Sequence, residues 1–365
     1  MIIGKLSVLN FKNIPQAEID CSGKINCFFG NNGMGKTNLL DAVYYLSFCK
    51  SHLNTPDSRI VRNGEDVCVL QGFYDYDGKE EEIFCSIRNG QRKQFKRNKK
   101  EYERLSDHIG LLPLVMISPT DSELICGGSE ERRRFVDMII SQYDKQYLHA
   151  LIQYNKALMQ RNALLKNQQM NEAVFDALEM QMAVYGLPIY AKRIILIERL
   201  LPIFNDYHKM ICNSSETVGL CYESQLAGDD FAQVLKSSRQ KDMLAGFTSA
   251  GVHKDDIWMQ LDDQLIRRFG SQGQNKTFLI ALKLAQYTYI ALNGATKPIL
   301  LLDDIFDKLD AGRVEKIIDL VSGDRFGQIF ITDTNRNNLN RILETVGLDY
   351  SLFKVERGEV RKNDY

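Results

Sequence analysis

Apolar and polar residues alternate from Ile2 to Leu9, the period-two signature of a half-buried strand. Ile25 to Phe29 is nearly continuous and apolar and stops at Gly30, which predicts a strand buried on both faces. After a glycine-rich turn, Leu39, Leu40, Val43, Tyr44 and Leu46 give Lys36 to Phe48 helical spacing. Val67 to Tyr74 and Glu81 to Arg88 read as strands joined by a turn at Asp77-Gly78. Gln94 to Glu103 reads as another hairpin turning near Asn98, and Leu111 to Ile117 as a further strand.

The texture changes at about Ser129. From there to His208 the chain is nearly all helix former, with Leu148, Leu151, Ile152 and Leu158 marking an amphipathic helix. Gly186-Leu187-Pro188 is expected to punctuate this run, and Pro202 to open or kink a later helix. The run ends in an irregular stretch around Gly228 and Gly246. Afterwards come a strand at Asp256 to Leu261, a helix at Gln274 to Leu292 and a buried strand at Pro298 to Leu302. A helix at Ala311 to Val321, a strand at Gln328 to Thr332, a short helix near Leu339 and a strand near Leu352 to Val355 complete the chain. Strands on both sides of a helical insert predict an α/β protein with one discontinuous head of mixed sheet and helices, residues 1–122 and 246–365. An all-helical second lobe, residues 123–245, is inserted in it.

Gly30-Asn31-Asn32-Gly33-Met34-Gly35-Lys36-Thr37 fits the P-loop pattern G-x-x-x-x-G-K-[ST] and has the required context of strand before and helix after. Glycines let the backbone turn its N–H groups onto phosphate oxygens, and the helix points its positive end at the same anion. In that reading Lys36 reaches the β- and γ-phosphates of ATP and Thr37 ligates Mg2+. The run Pro298-Ile299-Leu300-Leu301-Leu302-Asp303-Asp304 supplies the acidic half, at the carboxyl end of a buried strand where open α/β sheets bind ligands. Asp303 is the candidate second Mg2+ ligand, and Asp304 the candidate that orients the attacking water.

Phe269-Gly270-Ser271-Gln272-Gly273-Gln274 opens the next helix, and by itself Ser271 is a sound N-cap. Its place ahead of the Asp303 strand resembles the signature motif of ABC-type ATPases, and Leu309-Asp310 resembles their D-loop. Four further segments carry a narrower resemblance: GNNGMGKTNLLDAV from Gly30; Ile117 to Asp121 followed by Glu131 to Asp137; Arg161-Asn162-Ala163-Leu164-Leu165-Lys166; and Gly251 to Asp256 ahead of SQGQ and PILLLDDIFDKLD. Together they resemble the RecF recombination-repair family over nearly the whole chain. The resemblance implies an ABC-type ATPase head and a helical lobe. It implies DNA binding, ATP-dependent dimerisation, slow hydrolysis, and work with RecR and RecO to load recombinase at gaps, with links to replication and the SOS response. It also implies that Ser271, Gln272, Gly273 and Gln274 meet the γ-phosphate held by a second copy. Two positions depart from the family pattern: Lys12 stands where arginine is usual, losing bidentate geometry, and Leu53 stands where arginine is expected. Asp333-Thr334 replaces the histidine switch of transporter ATPases.

Composition adds little to this. The 365 residues suggest two lobes, and the net charge of -1 means any DNA surface is a local patch. No apolar run approaches a membrane span or the core of a signal peptide, so a cytoplasmic protein is expected. Cys21, Cys27, Cys49, Cys68, Cys85, Cys126, Cys212 and Cys221 form no C-x-x-C pair, which suggests neither a zinc knuckle nor a redox site. The densest basic run holds Arg88, Arg92, Lys93, Lys96, Arg97, Lys99, Lys100 and Arg104, with Phe95 and Tyr102 interleaved. Two readings stay open: a solvated face, or a hairpin touching DNA phosphates through Arg92, Lys93, Lys96, Arg97, Lys99 and Lys100 with little base specificity. Arg132 to Arg134 read either as facing DNA or, preferably, as a brace at the lobe junction, and His253 either as a neighbour of the nucleotide or as a loop-orienting residue. An SMC-type structural head would need a far longer heptad insert.

Overall fold

The computed structural model describes residues 1–168, 171–212, 216–226, 230–305, 311–334 and 349–363, Ala311 by its backbone alone. Asp310 with the expected D-loop, the Gly228 stretch and the expected helix near Leu339 lie outside the described residues. The strands are β1 (Ile2–Phe11), β2 (Ile14–Asp20), β3 (Ile25–Phe29), β4 (Val67–Tyr76), β5 (Lys79–Arg88), β6 (Gln94–Arg97), β7 (Lys100–Glu101), β8 (Leu114–Ile117), β9 (Val218–Glu223), β10 (Asp256–Leu261), β11 (Gln264–Leu265), β12 (Ile299–Asp303), β13 (Ile329–Asp333), β14 (Tyr350–Glu356) and β15 (Glu359–Lys362). The helices are α1 (Lys36–Phe48), α2 (Glu123–Cys126), α3 (Ser129–Ser141), α4 (Lys145–Lys166), α5 (Glu172–Cys212), α6 (Phe231–Ala245), α7 (Ile266–Phe269), α8 (Gln272–Asn293) and α9 (Ala311–Ser322).

The chain packs as two compact units, Met1–Thr120 with Gln286–Tyr365, and Asp121–Ala285. The first holds two six-stranded sheets. One is antiparallel in the order β2-β1-β4-β5-β6-β7. Its strands alternate buried and half-buried positions, as a sheet covered on one face requires. The other runs β15-β14-β3-β13-β12-β8, parallel except for its β15 edge. β3, β12 and β13 are buried at every position, the pattern of strands covered on both faces. Helix α1 packs against β1, β4 and β5 of one sheet and β8, β12 and β13 of the other. It is therefore buried nearly all round, beyond the single stripe that its leucines suggested. Buried Gln328 ties the two sheets: its amide oxygen accepts from Ile3 N at 2.8 Å, and its amide nitrogen donates to the carbonyls of Ile3 and Ser22.

The second unit is built on the antiparallel pair α4 and α5, with α6 and a three-stranded sheet, β11-β10-β9, against α5. It is thus not all-helical. Residues 246–285, expected in the head, pack here because β10 pairs with β9 from the insert, from Asp256 opposite Glu223 to Leu261 opposite Val218. The expected punctuation at Gly186-Leu187-Pro188 does not occur, and no new helix opens at Pro202: α5 continues through both prolines. Each proline deprives the carbonyl four residues earlier of its hydrogen bond. Val184 and Glu198, which carry those carbonyls, are both exposed.

Gly186 is needed for a different reason. A Cβ there would run into the ring of Phe231, itself fully buried and stacked on Tyr154. Helix propensity favours Gly186→Ala by about 1 kcal/mol, but overpacking a core costs typically about 1–3 kcal/mol. Gly186→Ala is expected to destabilise this unit, and denaturant melts followed by the single tryptophan, Trp258 on β10, would show it. A more stable variant would mean that Phe231 can move aside.

Candidate functional site

The apolar run of β3 ends at Gly30, and the loop that follows reaches α1 through backbone that only glycine adopts readily. Gly33 and Gly35 have φ of 79° and 113°. A Cβ at Gly35 would lie 2.9 Å from Asn13 Oδ1, and one at Gly30 would strike the carbonyl of Val355. The loop is also clasped from the far end of the chain: Gly358 N donates to Met34 O at 2.9 Å, and Arg357 N approaches Met34 Sδ at 3.3 Å. No acidic residue occupies the first turn of α1, so its positive end is left for an anion. Lys36 folds back along the loop and donates to the carbonyls of Gly30 at 2.7 Å and Asn31 at 3.0 Å. Burial pulls its ammonium below the ordinary value, while Asp304, Asp303 and Asp333 pull it up.

The strand order β3-β13-β12 brings the acidic tip to this loop. Thr37 Oγ1 donates to Asp303 Oδ1 at 3.0 Å, so the two expected Mg2+ ligands are adjacent. Thr332 Oγ1 donates to the same oxygen at 2.7 Å and accepts from Asp304 N at 3.0 Å. Burial raises the Asp303 carboxyl above its ordinary value, and the Thr332 and Thr37 hydroxyls oppose that shift. Asp304 is half-buried with φ of 49°, a strained conformation for a residue other than glycine and one that collects at functional sites. Asp333, buried at the end of the intervening β13 at the place of the transporters' histidine switch, is a third carboxylate beside Lys36. The glycine cradle, the ammonium held only by carbonyls and the Thr37–Asp303 pair fit a triphosphate with its Mg2+.

The signature turn opens α8. Ser271 Oγ accepts from Gln274 N at 3.2 Å and Gln274 Oε1 accepts from Ser271 N at 2.9 Å, a reciprocal capping box. Ser271 and Gln272 are exposed, and Gly273 and Gln274 half-buried. An open pocket beside the turn is lined by Leu261, Asp262, Phe269, Gly270 and Gln274.

Comparison with known proteins places the whole chain. The RecF/RecN/SMC N terminal domain family matches residues 2–356. A protein of Parabacteroides distasonis named DNA replication and repair protein RecF is 65% identical over 361 residues, 99% of each chain. One of the same name from Porphyromonas gingivalis is 56% identical over 362 residues, 99% of this chain and all of that one. The chain belongs to the RecF family. The solved structure of the recombination mediator protein RecF with ATP, of the RecFOR pathway, superposes with a TM-score of 0.88 at 28% identity, covering 99% of both chains. An Smc head domain from Pyrococcus furiosus superposes at 0.60 with 16% identity over 99% of this chain and 96% of that one, a likeness of fold alone.

Against this RecF frame, other expected site residues divide. Lys12 is turned inward: its ammonium lies 2.6 Å from the buried carboxylate of Asp41 on α1, with Ser51 Oγ at 3.3 Å. Leu53 is exposed. In the basic hairpin, Arg97 is committed to Glu81 through two bonds of 2.6 and 2.8 Å. Lys93 is committed to Asp57, Tyr45 Oη and the Cys49 carbonyl. Both are structural cations in this arrangement. Phe95 is buried against His108 and Tyr102, so it is core and not a stacking platform. Lys96 is half-buried over the Phe84 ring, while Arg92, Lys99 and Lys100 are exposed. Asn98 and Lys99 both take positive φ, as a two-residue hairpin turn requires.

Arg132 grips Asp256 at 2.7 and 2.9 Å, Arg133 donates to the Asp255 carbonyl, and Arg134 pairs with Glu130 and Glu131. Arg132 and Arg133 thus brace α3 against β10 within the second unit. His253 donates from Nε2 to the Thr248 carbonyl at 3.1 Å, which leaves Nδ1 to accept from Tyr154 Oη at 2.8 Å. Burial lowers its pKa to about 4, so it is neutral and orients the loop. No helix among the described residues is long and apolar enough to cross a membrane.

Proposed function

We infer that the chain is an ATP-dependent DNA-binding protein of recombinational gap repair and replication restart, whose ATPase is a slow, DNA-stimulated switch. ATP held by Gly30 to Thr37 draws the signature turn of a second copy onto the γ-phosphate. The resulting homodimer grips DNA with little base specificity, and hydrolysis releases it. In the cytoplasm it helps to load recombinase together with RecR and RecO; solved relatives of the RecFOR pathway support that assignment. The observation that carries the reading is the pairing of an assembled phosphate and metal site, Lys36, Thr37 and Asp303, with an exposed signature turn at Ser271.

Lys36 exchanges its two loop carbonyls for phosphate oxygens when a triphosphate enters. Thr37 and Asp303 are the residues to hold Mg2+, which neutralises charge on the β- and γ-oxygens when bound. Asp304, its backbone fixed by Thr332, orients the attacking water. Asp310 is the proposed D-loop residue. Of the basic hairpin, Arg92, Lys99 and Lys100, with the half-buried Lys96, remain as the candidate phosphate contacts.

The test is sedimentation and DNA binding with a non-hydrolysable ATP analogue. Wild type is expected to dimerise and bind DNA with the analogue. Ser271→Arg is expected to bind the nucleotide normally and stay monomeric. A monomeric wild type that binds DNA equally well without nucleotide would end this reading.

A further inference from the structure

A mixed His, Cys and Glu cluster lies outside the nucleotide site. His208 and Cys212 are one turn apart at the carboxyl end of α5, on one face of the helix. His208 Nε2 and Cys212 Sγ lie 3.4 Å apart, and the donor atoms of His208, Cys212 and Glu216 all fall within 4.8 Å of one another. A tetrahedral zinc ion with bonds of about 2.0–2.1 Å to nitrogen and about 2.3 Å to sulfur separates such a pair by about 3.6 Å. The His208–Cys212 separation is already close to that value, and a Glu216 oxygen lies within 4.8 Å of both donors. His208 is buried, while Cys212 and Glu216 are half-buried, so an ion can enter from their side.

The geometry points to a binding site for a single soft divalent cation of the Zn2+ class, held by His208 Nε2, Cys212 Sγ and one oxygen of Glu216. Three protein ligands leave the fourth position to water. On binding, the Cys212 S–H bond breaks, its electron pair forms the metal–sulfur bond, and the proton passes to solvent. One thiolate, one carboxylate and one neutral imidazole balance the charge of the ion.

The site also touches the signature turn. Gln274 Nε2 donates to Glu216 Oε1 at 2.8 Å, and Gln274 in turn caps Ser271. A carboxylate can ligate a metal through one oxygen and keep a hydrogen bond on the other, the usual way an outer partner is fixed. A bound cation therefore holds Gln274 in its capping position. This consequence for dimerisation, unlike the binding itself, rests on the role proposed above for the turn.

Titration of the full chain with Zn2+ against a chromophoric chelator, and with Co2+ by absorption, tests the site. One ion per chain is expected, and Co2+ should give a thiolate charge-transfer band. Cys212→Ser should abolish that band and, like Glu216→Gln, weaken Zn2+ binding by about tenfold or more. Cys126→Ser and Cys221→Ser, at the two exposed cysteines, should leave both readouts unchanged. Unaltered Zn2+ affinity and an intact Co2+ band in Cys212→Ser would overturn the proposal, as would a wild type that binds no ion. The titration needs neither ATP nor a dimer, so a failure of the proposed function leaves its outcome untouched.

Discussion

Lys36→Ala is expected to lower ATP hydrolysis by about a hundredfold or more while leaving the fold at least as stable. The two effects have opposite origins. With nucleotide bound, the ammonium is a fixed positive charge at a triphosphate in a site poor in water, and removing one such preorganised donor typically costs about 100–1000-fold in rate. Without nucleotide, the same ammonium is buried against two carbonyls, and its depressed pKa records the desolvation. Alanine relieves that cost, although Asp303, Asp304 and Asp333 lose a nearby cation. Lys36→Arg keeps the charge but replaces a compact ammonium with a planar fork, and should recover part of the nucleotide affinity and little of the rate. The measurements are phosphate release at saturating DNA and a thermal melt of each variant. Wild-type hydrolysis by Lys36→Ala would show that the triphosphate is held elsewhere.

The part of this site written in consecutive residues was legible beforehand. β3, the loop and α1 follow from an apolar run, three glycines and helical spacing within one stretch of chain, and β12 from PILLLDD. What was not legible depends on which distant strands become neighbours. Asp333 sits beside Lys36 because β13 lies between β3 and β12, and the Gly358 clasp on Met34 exists because β14 adds to β3 on the other side. The ion pairs of the basic hairpin were hidden for the same reason: Asp57 and Glu81, which engage Lys93 and Arg97, lie outside the run itself. The prolines of α5 looked like breaks because sequence does not tell which side of a helix faces water. Cysteine spacing could not point to Cys212, whose neighbours are a histidine and a glutamate. The RNALLK segment, quoted only as a resemblance, has a physical reason in the structure. Arg161 is an interior cation, and Asn162 Oδ1 accepts from both the N–H and the hydroxyl of Thr248.

Loss of that interior cation is expected to have a large effect on the stability of the second unit. Arg161 is fully buried, and its five N–H groups meet Glu179 twice, Asp242, Thr248 Oγ1 and the Leu235 carbonyl. Removing one partner of a buried pair costs about 3–5 kcal/mol, because the other charge is left in the interior. Total stabilities of roughly 5–15 kcal/mol make that a large fraction. The orphan after Arg161→Ala is Asp242: Glu179 keeps Arg239 through bonds of 2.9 and 2.6 Å, whereas Asp242 retains only neutral donors, from Ser238 and Ser249. Neutralising it should therefore recover stability. Asp242→Asn is destabilising in the wild type, where it leaves Arg161 under-compensated, but should be stabilising in the Arg161→Ala background. Trp258 fluorescence in denaturant follows this unit alone, since the first contains no tryptophan. Additive losses across the four proteins would show that Arg161 acts by filling space. A coupling of about 1–3 kcal/mol would show that it acts through the charge on Asp242.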